Sequence, residues 1–269
     1  MNLEFLCARM VAADAASLSE TKREVFADDV YQLQPRENDP RIETVLDIGA
    51  NVGSFTILAR YLFPHARIVC VEAHPVNFEC LTQNLHMNGI AAGIESVHLA
   101  MGDGRTLRCC YEQHGSGCSR FSPDGTGAPV DSMTLTQMLK RFGIRTAGLL
   151  LKIDCEGGEA SLLSDPGARE ILGAVESGVM ELHYPPDRAV VNRWLEFLHS
   201  VTDCRYDPNL KPDGPVSGGN TLVWFGTWPE KVVQPALPLP ELERPIVLKT
   251  PRLVQLRDPS TGDWKVGVA

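Results

Sequence analysis

Three apolar runs constrain the fold of this 269-residue chain more than any other feature: VLDI at 45–48, IVCV at 68–71 and LLLKI at 149–153. A strand with one wet face alternates apolar and polar residues. These runs do not, so both of their faces must be covered, as in a parallel sheet clad by helices. Segments with helical spacing stand between them. VGSFTILARYLF repeats at Phe55, Leu58 and Leu62. PVNFECLTQNLHMNG starts near Pro75, repeats at Phe78, Leu81 and Leu85, and stops at Gly89. IESVHLAMG reads as a third strand, TLTQMLKRFG as a helix ending at Gly143, and AGLLLKID as the fourth strand. GAVESGVMELH contains the fifth, PDRAVVNRWLEFLHS is an amphipathic helix, and GGNTLVWFGTW is a late strand. Repeated alternation of strand and helix predicts an α/β fold with a mostly parallel sheet and helices on both faces.

Three regions follow. Residues 1–40 read as a helical lead-in over the substrate side, with DDVYQLQPREND a strand-like piece and a polar turn. Residues 41–228 form the main domain, in which the Gly- and Ser-rich stretch 111–130 reads as a loop or lid. Residues 229–269 carry seven prolines and read as an extended arm, either lying on its own domain or wrapping a second subunit in a homodimer.

Several function classes are disfavoured. A net charge of −9 argues against a broad basic face for nucleic acid. Eight cysteines form no CxxC pair and no zinc-like Cys/His spacing, which reads as free thiols in a reducing compartment. The N-terminus is interrupted by Glu4, Arg9 and Asp14 and lacks a signal-peptide core. No stretch is long and apolar enough to span a bilayer. The expectation is a soluble, cytoplasmic protein with a small-molecule substrate, no nucleic acid and no membrane.

Chemistry gathers where strands hand over to helices. Asp47, Gly49 and Gly53 stand at the end of the first strand, and Glu72 ends the second. Glycine lets the chain turn tightly and lets a ligand approach the backbone, and an acid after the second strand hydrogen-bonds ribose hydroxyls. Neither the pyrophosphate-gripping Gly-x-Gly-x-x-Gly nor Walker A is spelled here. Beyond the fourth and fifth strands come Asp154, Glu156, Glu181 and His183. Alternate strand residues share a face, so each pair is expected to point one way. Lys152 is expected to pair with one of these acids.

These motifs carry a resemblance. Asp-x-Gly-Ala-Asn-x-Gly (Asp47 to Gly53) followed by Val-Glu-Ala-His-Pro (Val71 to Pro75) is similar to class I S-adenosylmethionine-dependent methyltransferases. The block SMTLTQMLKRFGIRTAGLLLKIDCEGGEASLL, with its Lys-Ile-Asp-x-Glu-Gly-x-Glu signature, resembles the FkbM family, as do MELH and GGNTLVWF. The resemblance implies a Rossmann-like fold with a seven-stranded sheet and S-adenosylmethionine as cofactor. It implies Asp47, Gly49, Asn51 and Gly53 against the methionine part, Glu72 on the ribose, and Ala100, Met101 and Asp103 around the adenine. Asp154 would face the donor methyl and the acceptor.

The expected reaction is O-methylation of a small metabolite, a sugar or a natural-product scaffold. N-methylation is the alternative, and an NAD(P)-dependent oxidoreductase is disfavoured. His183 is the preferred base by its intrinsic pKa, with Asp154 and Glu181 beside it and Glu156, Glu181 and Asn220 toward the substrate. A divalent ion on Asp154, Glu181 and His183 is the disfavoured alternative.

Overall fold

In the computed structural model, residues 10–13, 15–110, 120–206 and 219–228 are described, together with the backbone of 253–257 and 264–268. The central sheet has seven strands: β1 (Thr44–Ile48), β2 (Arg67–Glu72), β3 (Ile94–His98), β4 (Leu149–Ile153), β5 (Ser177–Tyr184), β6 (Arg205–Tyr206) and β7 (Gly219–Gly226). Their order is β3-β2-β1-β4-β5-β7-β6. All pairs from β3 to β5 are parallel, and β7 runs antiparallel to both β5 and β6.

The missing polar alternation has a direct cause. Val45, Ile68, Cys70, Leu150 and Val179 face one core, with Leu18 of α1 (Ala15–Lys22), Phe55 and Leu58 of α2 (Ser54–Leu62), and Leu81 and Leu85 of α3 (Pro75–Met87). Leu46, Ile48, Val69, Val71, Leu151 and Met180 face the other. There they meet Met138 of α4 (Leu135–Phe142), Leu172 of α5 (Ala168–Ala174) and Trp194 of α6 (Arg188–His199). Successive residues of each central strand thus enter opposite apolar layers.

Helix ends follow local chemistry. Thr134 caps α4 in a reciprocal capping box with Gln137, and Gly143 closes it at φ 61°. Asp187 accepts the amides of Ala189 and Val190 at the start of α6.

Three expectations change. The segment DDVYQLQPREND contains no strand: Asp29 and Gln32 take positive φ, and Gln34–Arg36 is a single 3-10 turn. The 111–130 stretch is more than a loop, because Arg120–Ser122 and Pro129–Val130 flank Leu107–Cys110 in a small antiparallel sheet. Residues 111–119 lie outside the described set. In the C-terminal arm, Leu253–Arg257 pairs with Trp264–Val268 as a hairpin, and the rest of 229–269 lies outside the described residues. No helix among the described residues is long and apolar enough to cross a membrane.

Candidate active site

The carboxyl ends of β1, β2, β4 and β5 open on one cavity of about 530 Å³. Parallel α/β sheets leave a crevice at this place. Its floor is the turn after β1. Gly49 and Ala50 both donate to the Val71 carbonyl at 2.9 Å, while Asp154 donates its amide to Ile48 at 3.0 Å. Gly49 sits at φ +77°, and a Cβ there would stand 1.7 Å from the Asp154 carbonyl oxygen. Only glycine lets the ends of β1 and β4 come this close.

Glu72 is buried where β2 ends. Its carboxylate accepts the Asn51 amide at 2.8 Å and the His74 amide at 2.7 Å. Burial nonetheless pushes its pKa up to about 7. His74 caps α3, its Nδ1 accepting from the Asn77 amide, and burial lowers its pKa. His74 is buried and lines the cavity.

A second wall is built around Lys152. Its Nζ donates to the Gly49 carbonyl at 2.6 Å and stands 3.3 Å from Asp47 and 3.6 Å from Asp154. Burial alone would lower the lysine pKa, but the Asp47 and Asp154 carboxylates hold it above its ordinary value. The lysine therefore stays charged, with its ammonium hydrogen-bonded to the Gly49 carbonyl and facing both acids. Thr56 donates to Asp47 at 2.6 Å.

The third wall comes from β4 and β5. Beyond Ile153 the chain leaves the strand, and Glu156 takes a left-handed φ of 54°. Strand alternation therefore does not align Asp154 with Glu156, yet both line the cavity. Glu181 and His183 do lie within β5 and also line it. His183 Nε2 is 3.6 Å from Glu156 and Nδ1 is 3.4 Å from Glu159. Burial would lower the His183 pKa, but Glu159 and Glu156 override it and push it up to about 9. Glu156 and Glu181 are both raised to about 7, chiefly by burial. Asn220, paired with His183 across the strands, donates its side-chain amide to Glu181.

Most sequence-derived site residues converge here: Gly49, Asn51, Glu72, Ala100, Met101, Asp103, Asp154, Glu156, Glu181, His183 and Asn220 all line the cavity. Two do not. Asp47 is fully buried behind the wall, where it holds Lys152 and Thr56. Gly53 starts α2 at φ +92°, closely packed on Leu81. Both shape the site without lining it. Asp103 is tied to Arg105 at the rim. The set whose ligand atoms lie within 4.8 Å of one another is Asp154, Glu156 and His183, so Glu156 takes the place expected of Glu181 in the alternative metal cluster.

The sequence gives no signal for Tyr31, nor for the contacts that Glu159 makes. Tyr31 lines the cavity and donates to Asp154 Oδ2 at 2.8 Å. It lies in an irregular segment with no periodic signal. Glu159 stands in the first turn of a 3-10 stretch, Gly158–Leu163, and its fully buried carboxylate reaches back to accept the amides of Cys155 and Gly157, 2.8 Å each.

This sheet order, with an acid at the tip of β2 and a cavity at the carboxyl ends, defines a Rossmann-like class I methyltransferase. The chain belongs to the FkbM methyltransferase family, whose domain model matches residues 47–208. It is 28% identical over 173 residues to methyltransferase sdnD of Sordaria araneosa, covering 52% of this chain and 66% of that protein. It is 23% identical over 163 residues to methyltransferase 1 of Beauveria bassiana, covering 52% and 64%. The matches thus span slightly less than two thirds of these relatives. The solved O-methyltransferase from Bacillus cereus in complex with S-adenosylhomocysteine is 13% identical, with a TM-score of 0.42 over 84% of this chain and 90% of that one.

The class takes its methyl group from S-adenosylmethionine, and the residues present fit that donor. Among the described residues no arginine lines the cavity, and its one lysine is already held by the Gly49 carbonyl and Asp47. A cavity lined by this many carboxylates suits a cationic nucleoside.

Proposed function

We propose that the protein transfers a methyl group from S-adenosylmethionine to a hydroxyl of a small metabolite, a sugar or a natural-product scaffold. The observation that carries this reading is the group of carboxylates with near-neutral pKa beside the carboxyl ends of β4 and β5. An alcohol is a poor nucleophile until its proton is taken, and a base poised near the working pH does this best. When bound, the cofactor supplies a methyl group on a positively charged sulfur. The rest falls to the chain. Glu72 holds the ribose hydroxyls, and the Gly49–Asn51 backbone lines the cavity beside the methionine part. Ala100, Met101 and Asp103 border the adenine.

Glu181 is the proton acceptor in this reading. Its pKa of about 7 leaves it partly ionised at neutral pH, and Asn220 fixes one of its oxygens. His183 was the preferred base by its intrinsic pKa. Held near 9 between Glu156 and Glu159, it keeps its proton at neutral pH and orients Glu156. The imidazolium also supplies this wall with its own cation, which disfavours a divalent ion there. Ser17, Glu20 and Glu24 of the N-terminal segment line the same cavity, and in this reading they border the acceptor.

The test is methyl transfer to a panel of hydroxylated small molecules and their amine counterparts, with the methylated atom located by mass spectrometry and NMR. Transfer to oxygen, reduced about a hundredfold or more in Glu181→Gln, is expected. Transfer confined to nitrogen would contradict the reading.

A further inference from the structure

Asp154 is the junction of the cavity. Its Oδ2 receives the Tyr31 hydroxyl at 2.8 Å and stands 3.6 Å from Lys152 Nζ. A hydrogen-bonded ammonium–carboxylate pair closes to about 2.7–2.9 Å, so the lysine contact is open and the tyrosine contact is made. Lys152 is drawn the other way by Asp47 at 3.3 Å and the Gly49 carbonyl at 2.6 Å. Its ammonium lies 5.7 Å from the Tyr31 ring centroid and 5.9 Å from that of Phe55. The two rings pack edge to face at 5.5 Å, which fixes where the hydroxyl can be. Oδ1 of Asp154 takes no hydrogen bond from any described residue.

We propose that Tyr31 is a positioning residue: its hydroxyl holds the Asp154 carboxylate off Lys152, so that the carboxylate faces the positively charged sulfur of the donor. The proposal rests on the methyltransferase reading above. It also gives the N-terminal segment a defined part in the site, because Tyr31 lies outside the 47–208 stretch that matches the family model. Burial, followed by the nearby Asp154 and Glu181 carboxylates, raises the phenol well above its ordinary value. Tyr31 therefore remains a donor throughout the working pH range. Without the hydroxyl, the carboxylate closes on the ammonium beside it and its charge is spent within the wall. Phenylalanine at this position keeps the ring packing on Phe55, so the change isolates the hydroxyl.

The charge of the donor gives a readout that needs no knowledge of the acceptor. S-adenosylmethionine carries the sulfonium and S-adenosylhomocysteine does not, while the rest of their contacts are shared. Titration calorimetry with both ligands gives the ratio of their dissociation constants for wild type, Tyr31→Phe, Asp154→Asn and the double variant. Loss of one charge-assisted hydrogen bond corresponds to about tenfold. In Tyr31→Phe, affinity for S-adenosylmethionine is expected to fall about tenfold relative to that for S-adenosylhomocysteine, with the latter within about twofold of wild type. Asp154→Asn should show the same selective loss, and adding Tyr31→Phe to it should change the ratio no further.

Equal weakening of both ligands in Tyr31→Phe would make the tyrosine a mere wall and overturn the proposal. An unchanged ratio, or losses that add in the double variant, would also overturn it. If wild type binds neither ligand, the methyltransferase reading itself fails. Thermal unfolding of each variant identifies any misfolded protein, and Tyr31→Trp then gives a second ring without the hydroxyl, from which the same selective loss is expected.

Discussion

Glu72 shows how a single side chain sets a measurable property of the site. Burial holds its pKa near 7 although two backbone amides favour its ionised form. In the role proposed for Glu72, ribose hydroxyls donate to the ionised carboxylate, so binding must expel any proton resting there. Affinity for S-adenosylhomocysteine should therefore fall as pH drops through 7, approaching about tenfold per unit below it. Glu72→Gln should bind weakly with a flat profile, and calorimetry at pH 5.5 to 8.5 measures both. His183 makes the opposite kind of statement. Its pKa is raised from 6.5 to about 9 by Glu159 and Glu156. The stabilisation from this pairing is complete below the unfolded value and is lost as pH rises through 9. The melting-temperature gap between wild type and His183→Gln should thus be wide at pH 6.5 and narrow by pH 9.5. A gap that grows with pH would contradict the pairing. The acids and the histidine were legible as residue types at strand ends. Their protonation was not, because that of the acids depends on burial and that of His183 on Glu159, whose folding back onto Cys155 and Gly157 has no pattern in the sequence.

Among the elements, the β1 turn was the most legible. An apolar run ending in Asp-x-Gly before a helical repeat has few foldings, and Gly49 is where the ends of β1 and β4 meet. Gly49→Ala meets both a positive φ and the Asp154 carbonyl, and should cost on the order of 3 kcal/mol or more. Gly143→Ala has the same sign of φ but no atom within 4 Å of the added Cβ, and should cost only about 1–2 kcal/mol. Urea unfolding of the two variants checks the order, and equal losses would show that the approach of the two strand ends is not tight. Elements without a clear period were misread. Tyr31 sits where a strand was expected, because the positive φ values at Asp29 and Gln32 that break the segment fall on residues other than glycine. The small sheet of Leu107–Cys110, Arg120–Ser122 and Pro129–Val130 has strands of two to four residues, too short for alternation to show.

Across the whole molecule, the order of the strands does the assembling. Parallel pairing of β1 with both β2 and β4, and of β4 with β5, brings four carboxyl ends to one cavity. The apolar runs announced that sheet, and the acids that follow them marked its working edge. The helical lead-in was expected over the substrate side, and residues of α1 do line the cavity; the contact of Tyr31 with Asp154 was not legible, because it spans more than a hundred positions. The combined result is a nucleoside-sized cavity rich in carboxylates, with its one lysine already paired. Titration calorimetry of the wild-type protein with S-adenosylhomocysteine and with NADH tests this directly. The account predicts one-to-one binding of S-adenosylhomocysteine and no heat with NADH. Binding of NADH, or silence with S-adenosylhomocysteine, would contradict it.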